Sequence, residues 1–483
     1  MLGARNHWPD GAKQYNGPVR PDEVCMATVV SAEEAVKRIP NGATVVVVPY
    51  PSETLYPAFR KVFEATGSPR DLTMVWGAGL GPFNAEPQGM NHFAVPGMLK
   101  RVIAGHIGLN HAIVKLIAEN AIEAYNFPQG TLCQLYREIG ARRPGMITKI
   151  GIGTFLDPRV EGGKMNARTR DCEDLIKLIE IEGEEYLLYK SFPCNVALVR
   201  GTSADPKGNI TLENEALHME LYEGALAARG HGGIVIAQVE RLTDTPANPH
   251  HVAIPGVMVD YIVVADSRET HPQTLFTEFN PSYCGHELAD LSAALPRMPL
   301  GPEKVICRRA AMELRPGMVV NLGIGIPMQV AQVAFEENVL DPVTLTTEIG
   351  VFGGLPASGK DFGPARNPQA FVSQAEIFDF YDGGGLDLTC VGMAQTDGDG
   401  NVNVSTIGPR VIGCGGFVNL TNTAKKLVFC GEFTAAGLEQ SIENGRLIIH
   451  REGKVRKFIE AVDQITFSGK TARANARNVL YVT

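Results

Sequence analysis

The chain contains 483 residues, of which 44% are hydrophobic and 20% are charged, and its net charge at pH 7 is -9. This length exceeds that of one ordinary hydrophobic core, so two or three domains are expected. The negative net charge argues against a global attraction to nucleic acid or to an anionic membrane surface. No run of about 18 apolar residues occurs, which excludes a membrane-spanning helix.

The N-terminal residues read MLGARNHWPDGAKQYNG and lack the long apolar core of a secretory signal. We expect residues 1–24 to form an extra polar leader. The nine cysteines are scattered and include no C-x-x-C pair. Reduced thiols and a cytoplasmic location are therefore expected. The eleven histidines are dispersed as well, and no metal site is predicted.

Short β-branched runs alternate with helix-like stretches along the whole chain. The runs predict buried strands at 44–48, 234–239, 259–265, 318–322 and 427–430. The longer amphipathic stretches predict helices at 31–38, 98–123, 307–314 and 328–337. A hairpin is predicted from strands 178–182 and 185–190 around a turn at Gly183-Glu184. This alternation is typical of α/β proteins with largely parallel sheets.

The two halves of the chain repeat each other weakly, in the same order. The matching segments are 39–48 with 315–322, 71–76 with 342–347, 202–211 with 394–403, and 232–240 with 425–433. One such pair would carry little weight, but four in order favour two related open α/β domains. We predict an N-terminal domain at 25–275, a linker rich in Pro, His, Ser and Thr at 276–302, and a C-terminal domain at 303–483.

The first motif that carries chemistry is a glycine-rich turn after the predicted strand 318–322. Its sequence is Asn321-Leu322-Gly323-Ile324-Gly325-Ile326-Pro327. Glycines allow a sharp turn, Pro327 suits the first turn of a helix, and a helix N-terminus favours negative charge. A dinucleotide fingerprint is disfavoured, because its third glycine is missing. A plain tight turn is the other open interpretation.

The second motif places an acidic residue directly after a β-branched strand. It reads Leu345-Thr346-Thr347-Glu348-Ile349-Gly350-Val351-Phe352-Gly353-Gly354. A glutamate in a glycine-rich crevice at a strand end would be partly desolvated, which suits a carboxylate nucleophile. The alternative is a solvated glutamate in a surface turn. The matching position of the first half is Gly77, so the carboxylate belongs to one domain only, as expected for an active-site group.

These residues together resemble the family I CoA-transferases, and most closely the propionate/acetate CoA-transferase group. The likeness spans nearly the whole chain. It includes the two motifs above and stretches at 103–108, 127–132, 149–155, 162–166, 380–387, 408–410 and 413–417. Each stretch is weak alone, whereas their order around one placed glutamate is specific.

The resemblance implies a fold of two related α/β domains with the active site at their interface. By this resemblance Glu348 forms a glutamyl-CoA thioester, and the oxyanion hole consists of Ile324 and Gly325 with the Gly415-Gly416 loop. Gln129 and Gly130 are then the lip that holds the substrate carboxylate. His106 is expected in the substrate site as a structural side chain, because an anionic nucleophile requires no general base.

Two departures from the family pattern bear on these expectations. The first-half strand ends in VVVVPYPSETL, where relatives usually carry a Gly-Phe step, and this difference is expected to reshape the acyl pocket. The chain ends at Thr483, where relatives are expected to continue by about one strand and one helix.

The predicted activity is reversible transfer of coenzyme A from a short-chain acyl-CoA to a short-chain carboxylate by ping-pong kinetics, as in propionate or ketone-body metabolism. No cofactor beyond coenzyme A is expected, because one thioester replaces another. An acyl-CoA hydrolase on the same fold, a nucleotide- or sugar-phosphate-binding module and an inactive scaffold subunit are the alternatives. A homodimer or homotetramer is expected.

Overall fold

The structure is a computed structural model that describes residues 27–48, 50–294, 297–340 and 343–483. The expected leader at 1–24 lies outside these residues. In chain order, the first half contains β1 (Thr28–Val29), α1 (Ala32–Val36), β2 (Thr44–Val47), α2 (Leu55–Thr66), β3 (Leu72–Trp76), β4 (Leu99–Ala104), α3 (His111–Ala118), β5 (Glu123–Asn126), α4 (Gln129–Gly140), β6 (Gly145–Thr148), α5 (Ala167–Arg170), β7 (Ile176–Ile181), β8 (Glu184–Lys190), β9 (Val196–Ala204), β10 (Ile210–Thr211), α6 (Leu221–Gly230), β11 (Ile234–Leu242), β12 (Val252–Ile254) and β13 (Tyr261–Val264).

The first half is built on one large sheet with the strand order β1-β13-β11-β9-β2-β3-β4-β5. Neighbours along this path are all parallel. The central strands are rich in valine and are buried on both faces, as parallel strands covered by helices are. A separate three-stranded sheet, β6-β8-β7, projects from this half.

The second half follows a connecting segment. In chain order, it contains α7 (Leu291–Ala294), α8 (Pro302–Ala311), β14 (Val319–Leu322), α9 (Ile326–Glu336), β15 (Thr344–Thr347), β16 (Val351–Phe352), β17 (Leu355–Pro356), β18 (Ala365–Arg366), β19 (Ala370–Phe371), α10 (Gln374–Phe380), β20 (Leu388–Gly392), β21 (Gln395–Thr396), β22 (Val402–Asn403), β23 (Thr406–Ile407), β24 (Arg410–Val411), α11 (Phe417–Thr423), β25 (Lys426–Cys430), β26 (Thr434–Ala435), β27 (Glu439–Glu443), β28 (Arg446–Arg451), β29 (Val455–Arg456), α12 (Gly469–Ala474) and β30 (Asn478–Val482).

The second large sheet has the order β19-β16-β15-β14-β20-β25-β30. Along this order, the five strands β15-β14-β20-β25-β30 pair in parallel. The short strands β16 and β19 form an antiparallel edge beside β15. The order β25-β20-β14-β15 repeats the order β11-β9-β2-β3 of the first sheet. Three predicted repeat pairs lie on equivalent strands of this pattern, and the fourth lies on the segments that follow β9 and β20. The prediction of an α/β fold with two related halves is confirmed.

The turn in the fourth repeat pair shows the relationship in atomic detail. Asp205 accepts hydrogen bonds from the main-chain N–H of Lys207, Asn209 and Ala247, and from the side-chain amide of Asn209. In the second half, Asp397 accepts the same four kinds of bond. The two segments make the same turn because both contain the sequence Asp-x-x-Gly-Asn, in which the aspartate accepts from the same donors.

Two local predictions differ from the structure. The predicted helix at 98–123 is wrong, because Leu99–Ala104 is the buried strand β4 and only His111–Ala118 is helical. Apolar residues alone did not separate a strand followed by glycines from one long helix. The hairpin is present as β7 and β8, but its turn is Glu182-Gly183, one residue earlier than predicted, and both residues have positive φ.

The connecting segment is attached to the second half. Thr277 donates a hydrogen bond to Asp361 (2.6 Å), and Asn367 pairs with both main-chain groups of Ala289. The domain limits 25–275 and 303–483, with the linker 276–302, stay predictions. Within the described residues, the eight cysteines are free thiols, and no helix is long and apolar enough to cross a membrane.

Candidate active site

Glu348 lies at the tip of a tight connection between two paired strands. Thr347 at the end of β15 pairs with Val351 at the start of β16, so only three residues form the turn. The N–H of Gly350 donates to the carbonyl of Thr347 (3.1 Å) and closes it. Gly350 has φ +101°, and a Cβ there would overlap the carbonyl oxygen of Val372. Glycine is therefore required to present Glu348 in this way.

The carboxyl group of Glu348 is half-buried and has a single side-chain donor. Asn321, fully buried on the neighbouring β14, donates from Nδ2 to Glu348 Oε2 (3.3 Å). The carbonyl of Glu348 accepts a hydrogen bond from Gln374 Nε2 (3.3 Å). Burial raises the pKa of Glu348, whereas main-chain hydrogen bonding and Asn321 oppose this change. The carboxylate is thus weakly solvated but still supported as an anion.

The glycine-rich turn connects β14 to α9 as predicted. Gly323 donates to the carbonyl of Cys390 (2.8 Å), and Gly325, with φ +85°, is the N-cap of α9. Pro327 stands in the first turn of that helix, where it removes no needed donor. The N–H groups of Ile324 and Gly325 donate to no other group in the described part of the chain. They are the kind of free donors that stabilise a developing anion.

A cavity of about 190 Å³ lies in front of Glu348 and is lined by both halves of the chain. From the first half, its wall includes Ala78, Gly79, His106 and Gln129. From the second half, it includes Gly323, Ile324, Glu348, Phe362, the residues 412–417 and others. The structure therefore brings together Glu348, Ile324, Gly415, Gly416, Gln129 and His106 from the predicted site.

Two predicted residues do not line the cavity. Gly325 is not among the residues that line the cavity, although it adjoins Ile324. Gly130 is not among them either. Its N–H donates to Asn419 Oδ1 (3.2 Å), and a Cβ there would overlap the ring of Phe378. Gly130 thus packs closely between the two halves, and its role at the substrate lip stays a prediction.

The loop at 413–416 is attached to the first half by main-chain hydrogen bonds. Gly415 donates to the carbonyl of Gly105 (3.0 Å), and Gln129 donates to the carbonyl of Gly415 (2.9 Å). The N–H of Gly415 is thus engaged in the structure, and its role as an oxyanion donor stays a prediction. Gly416 makes no such bond among the described residues, and a Cβ at this glycine would lie 3.4 Å from Glu348 Cγ.

His106 and Gln129 present polar atoms to the site. Burial, together with the nearby positive charge of Arg410, lowers the pKa of His106 to about 4, so the imidazole is neutral at pH 7. The side-chain nitrogen of Gln129 is buried and has no hydrogen-bond partner within the described structure. A buried amide without a partner can donate to a bound ligand, and a carboxylate oxygen is a suitable acceptor.

Two residues of the site were not assigned a role from the sequence. Asn321 was seen only as the start of the glycine-rich motif, and Gln374 was not singled out. Asn321 could have been found from the sequence, because it is a polar amide within a buried, β-branched strand. A buried polar side chain needs a hydrogen-bond partner. No local signal existed for Gln374, whose contact with Glu348 joins separate parts of the fold. In the described residues, no cluster of His, Cys, Asp or Glu is suited to a metal ion.

The fold and site define a class: an α/β protein of two related halves, with a cavity between them that contains one half-buried carboxyl group and free main-chain donors. Comparisons with known proteins make this class specific. The family model for coenzyme A transferase matches residues 29–265. The caffeate CoA-transferase of Acetobacterium woodii is 45% identical over 469 residues, which cover 95% of this chain and 88% of the relative.

The acetate CoA-transferase YdiF of Escherichia coli K12 is 39% identical and covers 96% of this chain and 88% of its own length. The solved apoenzyme of YdiF from Escherichia coli O157:H7 superposes with a TM-score of 0.89 at 38% identity, over 96% of this chain and 88% of that one. This chain therefore belongs to the coenzyme A transferase family and is an enzyme that transfers coenzyme A. The resemblance predicted from the sequence is confirmed.

Proposed function

We propose that this enzyme transfers coenzyme A from a short-chain acyl-CoA to a short-chain carboxylate through a glutamyl-CoA thioester at Glu348. The acids belong to the acetate, propionate, butyrate or acetoacetate class. The observation that carries the proposal is that Glu348 is the one acidic side chain among the described residues that line the cavity between the halves. Two relatives named for CoA transfer with acetate and with caffeate support the proposal. A solved thioester complex of YdiF with coenzyme A supports it as well.

The first half-reaction converts an acyl-CoA into an enzyme thioester. A carboxylate oxygen of Glu348 attacks the thioester carbonyl, and the CoA thiolate leaves to give a mixed anhydride of the acyl group with Glu348. The thiolate then attacks the carbonyl carbon of Glu348, and the first carboxylic acid leaves as its anion. The electron pair of each broken bond stays with the leaving group, so no proton donor, metal ion or redox cofactor is needed.

The second half-reaction runs the same steps in reverse with another acid. The incoming carboxylate attacks the glutamyl thioester and releases the thiolate. The thiolate then attacks the acyl carbonyl of the new mixed anhydride, which forms the new acyl-CoA and restores Glu348. Because the first product leaves before the second acid reacts, the kinetics are ping-pong.

Each addition produces a tetrahedral oxyanion beside main-chain donors. The free N–H groups of Ile324, Gly325 and Gly416 are the candidates to stabilise it, and one such donor is worth about 3 kcal/mol in a preorganised site. The unpartnered amide of Gln129 and the neutral ring of His106 are the candidates to hold the carboxylate of the acid. Partial burial of Glu348 removes water from the nucleophile and protects the intermediates from hydrolysis.

Acid-dependent exchange tests the proposal. Propionyl-CoA is incubated with isotopically labelled acetate, and the formation of labelled acetyl-CoA is followed by mass spectrometry together with total thioester. We expect labelled acetyl-CoA to appear while total thioester stays constant, with parallel double-reciprocal plots. Loss of propionyl-CoA at the same rate without acetate would contradict transfer and would indicate a hydrolase. A cytoplasmic location and a dimeric or tetrameric assembly remain part of the proposal.

A further inference from the structure

A second, smaller cavity adjoins the cavity of Glu348. Ala78, Gly79, Ile349 and Phe362 line both. Ile349 directly follows Glu348 in the chain, and the two cavities share these four wall residues, so the second cavity is next to the one that Glu348 lines. The position of the cavity therefore suits the part of the acid that lies beyond its carboxyl group.

The wall of the second cavity is mainly hydrocarbon. Its lining includes Leu80, Leu109, Leu217, Met219, Leu275 and Phe362. At its outer side, the rings of Phe83 and Phe276 are in contact, with centroids 5.9 Å apart. An apolar wall of this kind favours an apolar tail through the hydrophobic effect.

The hydrogen-bonding groups of the polar side chains in the lining are engaged with other groups of the protein. The Tyr50 hydroxyl donates to the carbonyl of Leu217, and the Thr274 hydroxyl donates to Asp361. Gln273 donates from Nε2 to the carbonyl of Asn214 (2.7 Å) and accepts with Oε1 from the N–H of Asn280 (2.6 Å). A polar group on the tail would therefore lose water without gaining a partner.

Among the described residues that line this cavity, one side chain is charged, and it is located at the exposed rim. The Nζ of Lys360 lies 5.0 Å from the centroid of the Phe276 ring, and both residues are exposed. The ammonium group is thus hydrated and stacked on an aromatic ring rather than directed into an enclosed space. A second carboxylate on the substrate would find no buried cation in this cavity.

The inner wall is held rigidly. Tyr50 follows β2 in the segment VVVVPYPSETL. Its ring stacks on the guanidinium group of Arg200, with 4.9 Å from Cζ to the ring centroid. Arg200 is itself buried and paired with Glu215 (3.0 Å). Tyr50 is therefore fixed by its hydroxyl hydrogen bond and by stacking on a guanidinium group in a buried ion pair. A side chain fixed in this way limits the depth of the cavity.

We propose that this cavity receives the tail of the carboxylic acid, that the preferred substrates are monocarboxylates with three to five apolar carbon atoms beyond the carboxyl group, and that Tyr50 sets this limit. The inference rests on the proposed function. The small volume of the cavity, about 50 Å³, supports a short tail.

A series of acceptor acids tests the inference with wild-type enzyme and propionyl-CoA as donor. We expect kcat/KM to rise about fourfold per methylene group from acetate to pentanoate, as burial of a methylene predicts. Octanoate should show no further gain over hexanoate, and succinate should be at least tenfold poorer than pentanoate. A flat or falling series from acetate, or equal use of succinate and pentanoate, would overturn the inference.

Two substitutions change the cavity in opposite directions. Leu217→Ala enlarges it, and the ratio of kcat/KM for octanoate to that for pentanoate should rise about tenfold. Leu109→Phe fills it, and the ratio for pentanoate to acetate should fall about tenfold. Leu288→Ala is the matched control, because the same truncation is made where Leu288 is 85% exposed, and both ratios should stay at their wild-type values. Unchanged ratios in the first two variants, with thermal unfolding curves like those of wild type, would contradict the assignment.

The outcomes separate this inference from the proposed function. If acid-dependent exchange proceeds but shows no preference for longer tails, the cavity does not bind the acid, and the function of Glu348 is unaffected. If no acid of the series exchanges with propionyl-CoA, the proposed function itself is wrong.

Discussion

The two halves of this enzyme share one framework but differ at the strand end that carries Glu348. In both halves, four parallel strands follow the same order, and Asp205 and Asp397 close equivalent turns. The residue after β3 is Gly77, whereas the residue after β15 is Glu348. The cavity lies in front of Glu348. The comparison shows that a duplicated fold does not duplicate its chemistry.

The space around Gly77 explains the difference. A Cβ at this position would lie 2.7 Å from Cys133 Sγ, 3.1 Å from Glu220 Oε1 and 3.2 Å from Gln374 Oε1. Side chains from both halves therefore fill this space, including a carboxyl group from the residue that precedes α6. The second half leaves the equivalent space open to a ligand. The same strand end thus serves packing in one half and an open site in the other.

The largest expected effect comes from removing the carboxylate of the second half. Glu348→Gln keeps the size of the side chain but abolishes the nucleophile, so kcat/KM for acetate-dependent exchange should fall by at least about 10³-fold. Glu439→Gln is the matched control, because Glu439 is an exposed residue of β27 and should exchange like wild type. If Glu348→Gln retained more than about a tenth of wild-type activity, the carboxylate would not be the group that distinguishes the two halves in catalysis.

The carboxyl group behind Gly77 should contribute to stability rather than to transfer. Burial, assisted by the negative charge of Glu223, raises the pKa of Glu220 to about 8. A raised pKa means that the folded state binds the proton more tightly. The stabilising contribution of Glu220 is therefore complete below its ordinary pKa of 4.5 and is lost as the pH rises towards 8.

Glu220→Gln removes this titration. The free energy of unfolding of the variant minus that of wild type should increase between pH 5 and pH 8, by an amount on the order of 3 kcal/mol. Urea unfolding at several pH values measures this difference. A constant difference across the range would show that Glu220 is not held as a neutral acid.

The smallest effect concerns the strand end of the first half. Gly77→Ala places a methyl group against Cys133 and Glu220, so the free energy of unfolding should fall by about 1–3 kcal/mol. Gly398→Ala is the control, because its Cβ would meet no atom within 4 Å and its φ is not in the left-handed region. Equal stability of the two variants in urea unfolding would mean that the space behind Gly77 is not filled.

Much of this organisation was predictable from local sequence. The strands, the order of the repeats, the glycine-rich turn and Glu348 all follow from short patterns. Two features could not be predicted from local sequence: the hydrogen bond of the Gly415 N–H and the packing of Gly130 against Phe378. Each depends on contacts between the two halves. The helix predicted at 98–123 failed for a different reason: β4 lies between two parallel neighbours, and its buried end, Val102 to Ala104, carries no alternating pattern.

The most direct test of the central claim is the mass of the Glu348 peptide after reaction. The enzyme is incubated with acetyl-CoA in the absence of an acceptor acid, treated with borohydride and digested. A glutamyl thioester would be reduced to the corresponding alcohol, so we predict that the peptide containing Glu348 loses about 14 Da, and that added acetate before borohydride prevents this loss. An unmodified Glu348 peptide from enzyme that still exchanges acetate for propionate would contradict the account.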